Sequence, residues 1–272
     1  MINNTFQEKF TQIKNFIFTK GRLLDRILFT FFFEEGTKSQ CLKALKAYQN
    51  EDGGFGNGIE PDLLCPHSSA IGAETALFYL DILDTYPTEI LKPLQNWVLN
   101  SLNQDGFIPH PFEEIYNYPH QKWWENSDNN RILSIAGLLK KFKIENREFY
   151  NSIEAYFETL NPLEDVTFYD YPRFIFLKHL KNTSEQEKGY NKIIQKFPQL
   201  QKENVNHYPL WSRYWYHIIS EANKTLLDET AEKFIKDIEG GSLPNPYENL
   251  FWWKPIFTLD GLILLKRNGY IE

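Results

Sequence analysis

Two carboxylates at the end of a glycine-rich loop are the best candidates for acid/base chemistry in this 272-residue sequence. The loop spans residues 48–62, has four glycines within six positions and carries Glu60 and Asp62 near its end. Glycine permits positive φ and close backbone approach, so the loop can hold both acids beside other groups. Partial burial could separate their pKa values, which would make one a general acid and the other a base. The alternative is that both cap the next helix or pair with arginines.

Basic residues recur in or near the first turn of alternate predicted helices, where the helix dipole disfavours a cation by about 0.3 to 1 kcal/mol. This recurrence indicates a compensating anion. A phosphate, diphosphate or carboxylate of a substrate is one candidate, and internal acids are the other. The basic residues are Arg22, Arg131, Arg173, Arg213 and Lys254, and the internal acids are Glu60, Asp62, Asp128, Asp165 and Asp170.

Aromatic residues are concentrated in or next to the loops that precede these helices. An aromatic-lined cavity can stabilise a carbocation or stack on sugar rings, whereas the alternative is packing between helical hairpins. With the arginines above, the candidate substrate-binding set is Arg131, Arg173, Arg213, Asp128, Tyr169, Trp123, Trp211, Trp252 and Trp253.

Metal and cofactor motifs are weak. Asp62, Cys65 and His67 have zinc-ligand residue types, but they also fit a capped helix start, so no metal site is predicted. No phosphate-binding loop, dinucleotide fingerprint or Ser-His-Asp order marks the sequence, and we expect no cofactor.

The elements that must position these groups are helices. Hydrophobic residues recur at helical spacing and predict about twelve helices, starting near residues 3, 22, 38, 68, 89, 127, 146, 171, 184, 209, 224 and 252. The even-numbered helices are apolar on most faces, and the odd-numbered ones are mostly amphipathic. The even helices recur every 40 to 60 residues or so, a period typical of stacked helical hairpins. Apolar inner and amphipathic outer helices favour an all-α (α/α)6 toroid with inner and outer rings over an open solenoid.

A resemblance supports the same fold. The segment Leu42-x-x-Leu45-x-x-Tyr48-Gln49-x3-Gly53-Gly54-Phe55-Gly56 resembles the glutamine/aromatic repeat of squalene cyclases and of protein prenyltransferase β subunits. Weaker echoes occur at residues 104–107 and 239–241. The resemblance implies a terpenoid cyclase-like toroid over nearly the whole chain. It implies little about chemistry, because the Asp-x-Asp-Asp proton donor of squalene cyclases has no match here and the same toroid also hosts polysaccharide lyases and glycosidases.

Composition limits the class of protein. The chain has 42% hydrophobic residues and a net charge of −7, which favours one globular domain over residues 1–272 and argues against nucleic-acid binding. It has two cysteines and no uncharged run of about 18 residues, so we expect a cytoplasmic protein without a transmembrane segment. The predicted function is an enzyme that acts on an isoprenoid-like or other small substrate, anionic ones included, through Glu60 and Asp62. The alternatives are a carbohydrate-active hydrolase or lyase, and a non-catalytic binding or scaffold protein; the sequence does not indicate an oligomeric state.

Overall fold

The computed structural model describes residues 2–245, 247 and 249–272, with side chains from Phe6 onward. Within this part of the chain there are eleven α-helices and no β-strand, so the all-α prediction is confirmed. The α-helices are α1 (Ile2–Lys20), α2 (Leu23–Phe33), α3 (Lys38–Lys46), α4 (Ala70–Ile82), α5 (Thr88–Ser101), α6 (Arg131–Lys141), α7 (Arg147–Thr159), α8 (Tyr171–Leu180), α9 (Ser184–Glu203), α10 (Lys224–Asp237) and α11 (Trp253–Arg267). Short 3-10 helices lie at Glu113–Asn117, Lys122–Glu125, Phe168–Asp170, Val205–His207, Pro209–Trp211 and Tyr216–Glu221.

The chain forms two compact units. Residues 45–193 make up the middle unit, and residues 1–44 with 194–272 make up the terminal unit. The closure of the helices into a toroid and the assignment of residues 1–272 to one domain stay predictions.

Three apolar helices form the core of the middle unit. All thirteen residues of α4 are buried, and α6 packs against both α4 and α8. A Cβ atom on Gly137 of α6 would lie 2.7 Å from the carbonyl oxygen of Ile175, so the two backbones approach more closely than any larger residue would allow. By contrast, α5 and α7 bury one face each, as their amphipathic sequences predict.

Two loops of the middle unit share one backbone turn. Asn50 and Asn103 each donate their N–H to the carbonyl oxygen four residues later, at 2.9 Å in both loops. Each also accepts a hydrogen bond from a glycine three residues later, and these glycines, Gly53 and Gly106, have φ of 93° and 85°. This left-handed conformation favours glycine, so the repeated motif encodes a repeated turn. The third echo, around residues 239–242, forms a tighter turn. In it the backbone N–H groups of Glu239 and Ser242 each donate to the carbonyl oxygen of the other residue.

The terminal unit is built around α11. Every residue from Trp253 to Leu265 except Lys254 is buried, and α1 packs against α2, α10 and α11. None of the helices in the described residues has the length and apolar character needed to cross a bilayer.

The prediction of a helix that starts near residue 209 is wrong. Two 3-10 helices, Pro209–Trp211 and Tyr216–Glu221, occupy this segment. Tyr208 has φ of 46°, so its backbone is left-handed and not part of a regular helix. The Ser212 hydroxyl donates to the Pro209 carbonyl at 2.9 Å. This side-chain hydrogen bond competes with the helical backbone pattern.

Candidate functional site

The predicted acids Glu60 and Asp62 are both buried in the middle unit. The Thr75 hydroxyl of α4 donates to Glu60 Oε1 at 2.5 Å, and the Asp62 carbonyl accepts from the Gln121 amide at 3.0 Å. The glycine loop is therefore attached to α4 and to the 3-10 segment near residue 122. The Ser69 side chain caps α4 by accepting from the Gly72 amide.

Beside Thr75 on the same helix lies Glu74, a carboxyl group that the sequence prediction missed. Its side chain is 1% exposed. It bonds Arg131 Nη1 and Ser134 Oγ, and it accepts from the Tyr171 hydroxyl at 2.9 Å. These partners lie at the start of α6, one turn further along α6 and at the start of α8. Helices α4, α6 and α8 thus place their polar groups around one carboxyl.

Arg131, a predicted substrate-binding residue, links this carboxyl to Asp128. Its Nε lies 2.7 Å from Asp128 Oδ2, and its Nη1 donates to the Tyr171 hydroxyl at 2.8 Å. Its guanidinium also lies 5.2 Å from the ring centroid of Trp124. The sequence offered internal acids as one way to neutralise the arginines. This alternative is confirmed for Arg131, which pairs with Asp128. Since one guanidinium serves two carboxyl groups, the site carries one negative charge when both are ionised.

Burial and the neighbouring groups act on the pKa of Glu74 in opposite directions. The Ser134 hydroxyl donates to Glu74 Oε1 and also lies 2.7 Å from the carbonyl oxygen of Arg131. Burial raises the pKa of Glu74, and the Asp128 charge raises it further, while Arg131, Ser134 and Tyr171 oppose the shift. Burial is the larger effect, so the pKa of Glu74 lies above that of an ordinary glutamate.

A neutral histidine lies near this cluster. His110 is buried, and neither ring nitrogen makes a hydrogen bond within the part of the chain that the structure describes. Burial lowers its pKa, and the charge of Arg131 lowers it further. The Trp124 backbone raises this pKa slightly without reaching hydrogen-bonding geometry, and the Trp124 ring packs edge-on at 6.1 Å. His110 is therefore a proton acceptor at neutral pH.

The other predicted substrate-binding residues of the middle unit are Tyr169, Trp123 and Arg173. Tyr169 and Trp123 are exposed, at 78% and 40%. Arg173 Nη1 donates to the Asn161 carbonyl at 2.9 Å, and its Nε lies 4.0 Å from Asp170. Their substrate-binding roles stay predictions.

In the terminal unit, Arg213 is enclosed with Asp260. Both side chains are buried, and Arg213 Nε lies 2.6 Å from Asp260 Oδ2. Burial raises the pKa of Asp260, and Arg213 opposes that shift. A second pair, Arg22 with Asp25, is close enough for its charges to affect the Asp260 pKa. Arg22 and Arg213 are thus neutralised internally, by two acids that the sequence analysis did not name.

The three tryptophans of the terminal unit have different environments. Trp211 is buried and donates from Nε1 to the Thr230 hydroxyl at 3.1 Å. Trp253 is buried against Phe257, with ring centroids 5.2 Å apart. Packing, the alternative interpretation, accounts for these two. Trp252 is exposed, and its role in substrate binding stays a prediction.

The weak zinc candidates do not gain support. Cys65 is buried, and burial raises the pKa of its thiol, which disfavours the thiolate that binds metal. Among the described residues, no three His, Cys, Asp or Glu side chains form a group that could hold a metal ion.

The middle unit therefore offers a buried carboxyl with a raised pKa on an apolar helix, an arginine that holds it and a neutral histidine nearby. No protein-family model, curated protein or solved structure matches this chain.

Proposed function

We propose that the protein is an enzyme that uses carboxylate acid/base chemistry on an isoprenoid-like or other small substrate, anionic ones included. The observation that carries this proposal is the buried carboxyl of Glu74, which accepts hydrogen bonds from three donors within a fully buried helix. In this proposal the general acid is Glu74. The next residue, Thr75, donates a hydrogen bond to the predicted acid Glu60.

The surroundings of Glu74 suit proton transfer to a weak base such as an alkene. Burial raises the pKa of Glu74 and so favours the protonated form from which a general acid donates. When Glu74 loses its proton, Arg131 and Tyr171 already point at the carboxylate oxygen that gains charge. Groups oriented in advance stabilise such charge without further reorganisation.

Two neighbouring groups supply the remaining steps of an acid/base cycle. The neutral His110 can accept a proton from a cationic intermediate. Arg131 and Asp128 are partly exposed, with side-chain exposures of 11% and 34%, and form the edge that a substrate head group would meet.

Carbohydrate chemistry is the second candidate, and one observation favours it. Trp123 and Tyr116 are exposed aromatic side chains in adjacent 3-10 segments of the middle unit. Exposed aromatic faces are suited to stacking on sugar rings. In that case Trp123→Ala would lower affinity for an oligosaccharide.

The test compares purified wild-type protein with Glu74→Gln. Each is incubated with farnesyl diphosphate, squalene and a mixture of oligosaccharides, and products are detected by mass spectrometry. We expect wild-type turnover of an isoprenoid probe and a loss of about 10²- to 10⁴-fold in Glu74→Gln, the usual contribution of a general acid. The matched control is Glu89→Gln, which changes an exposed acid on α5 and should keep wild-type activity.

Other outcomes separate the alternatives. Turnover that is unchanged in Glu74→Gln would exclude Glu74 as the acid. Turnover of oligosaccharides alone would favour the carbohydrate function. Binding without turnover of any probe would favour the non-catalytic alternative.

A further inference from the structure

A groove in the middle unit shares no lining residue with the Glu74 cluster. It is bordered by the end of α7, the following loop, α8 and the first half of α9, and we call it the α7–α9 groove. Its volume is about 420 Å³, within the range of about 300 to 1,000 Å³ typical of small-molecule sites. It is lined by Phe157, Glu158, Leu160, Asn161, Pro162, Leu163, Arg173, Leu177, Glu185, Gln186, Lys188, Gly189 and Lys192.

The groove is lined by three basic side chains, Arg173, Lys188 and Lys192, and by two acidic ones, Glu158 and Glu185. Arg173 is 14% exposed and uses Nη1 on the Asn161 carbonyl, while its buried Nε has no hydrogen-bond partner in the described residues. Asp170 is 4.0 Å from that nitrogen, beyond hydrogen-bonding distance. Lys188 pairs with Glu185 at 3.1 Å, and Lys192 bonds the Leu163 carbonyl. Arg173 therefore retains donor capacity for an anion.

Another part of the groove is apolar. Phe157 is half-buried and stacks on Phe176, with ring centroids 4.7 Å apart. Leu177 is fully buried at the base, and Leu160 and Leu163 are half-buried at the side. An occupant must bring apolar surface together with its negative charge.

Gly189 gives independent evidence that the groove is kept open. It lies inside α9, where glycine is less favourable than alanine. A Cβ atom there would meet only Leu177 Cδ1, at 3.6 Å, which is ordinary contact. Each of the thirteen other glycines has a positive φ or leaves no room for a Cβ atom. Gly189 is therefore the one glycine that the fold does not require, and a larger side chain at this position would enter the groove.

We propose that the α7–α9 groove binds a small amphiphilic anion. Its carboxylate or phosphate head contacts Arg173, and its apolar tail lies against Phe157 and Leu177 where Gly189 leaves space. This site uses no residue of the Glu74 cluster, so it goes beyond the proposed acid/base function.

Isothermal titration calorimetry with sodium octanoate and with octyl phosphate tests the proposal. The two probes share a tail and differ in the head group, so they identify which anion is preferred. Octan-1-ol and acetate test the tail and the head alone. We expect at least one anionic probe to bind about tenfold or more tightly than either control, since a charge-assisted contact and apolar burial are then combined.

Three variants locate the binding. Arg173→Gln should weaken binding of the preferred probe about tenfold or more. Gly189→Leu should abolish it while the Tm stays at or above the wild-type value. Gly189→Ala is the matched control, which adds one methyl group, should raise the Tm and should keep binding. Glu74→Gln should also keep binding, so failure of the acid/base function leaves this result unaffected.

Two results would overturn the proposal. One is the absence of calorimetric binding by both anionic probes to the wild-type protein. The other is binding that is equally strong in Arg173→Gln and in a folded Gly189→Leu protein, which would place the probe elsewhere.

Discussion

At the residue scale, the Arg213–Asp260 pair of the terminal unit has the largest expected effect on stability. Both side chains are buried, so removal of one leaves a charge without its counter-ion in a dry environment. Asp260→Ala should lower the free energy of unfolding by about 3 to 5 kcal/mol. Urea denaturation followed by circular dichroism measures this change.

The exposed pair of Lys140 and Glu145, 2.9 Å apart, supplies the control. Glu145→Ala should cost less than about 1 kcal/mol, because solvent screens an exposed pair. Equal losses in both variants would mean that burial does not govern the Asp260 contribution.

His179 should make the protein less stable in acid. Burial, together with Lys141, Lys178 and Lys181, lowers its pKa from 6.5 to about 4. Between these values the unfolded chain binds a proton that the folded chain does not, so stability falls as the pH drops from 6.5 to 4. The full effect is about 3 kcal/mol.

The measurement is the free energy of unfolding at pH 7 and at pH 4.5 for wild type and for His179→Gln. The variant cannot titrate at this position, so it should lose less stability than wild type over the same interval. The difference between the two proteins removes the contributions of other histidines. Identical pH dependence in both would rule out His179 as a source.

At the scale of elements, two glycines within helices should respond oppositely to the same substitution. In α6, a Cβ atom on Gly137 would clash with the Ile175 backbone at 2.7 Å, so Gly137→Ala should destabilise the α6–α8 contact by about 1 to 3 kcal/mol. In α9, Gly189→Ala meets only ordinary contact and should stabilise the protein by about 0.5 to 1 kcal/mol. Thermal unfolding of both variants checks the signs. A gain in both would show that α6 and α8 have room to move apart.

The sequence predicted most helices because each one repeats its apolar residues at a helical period. It failed at residues 209–221, where Tyr208 has positive φ and Ser212 hydrogen-bonds back to Pro209. The site was harder to predict. Glu74 is a single acid in an apolar run, and its partners Ser134 and Tyr171 lie 60 and 97 residues further along the chain. Periodicity contains no information about contacts at such separations, although an isolated acid in a buried helix is a signal that could have found it.

At the scale of the whole molecule, both boundaries between the two compact units fall inside helices. The middle unit begins inside α3 and ends inside α9, because its limits are residues 45 and 193. A unit cut at these points would have two interrupted helices, with unpaired backbone groups at both ends. The predicted single domain therefore implies that the two units unfold together.

Differential scanning calorimetry of the full chain tests this expectation. A single transition with a ratio of calorimetric to van't Hoff enthalpy near one is expected for cooperative unfolding. A fragment of residues 45–193 should then lack a cooperative transition, because α3 and α9 are incomplete in it. Two separate transitions in the full chain, or a fragment that unfolds cooperatively, would contradict the single-domain prediction. Asp260→Ala, a substitution in the terminal unit, tests the coupling further. If the molecule unfolds cooperatively, the variant lowers the Tm of the single transition. If the two units unfold independently, the middle unit keeps its wild-type Tm.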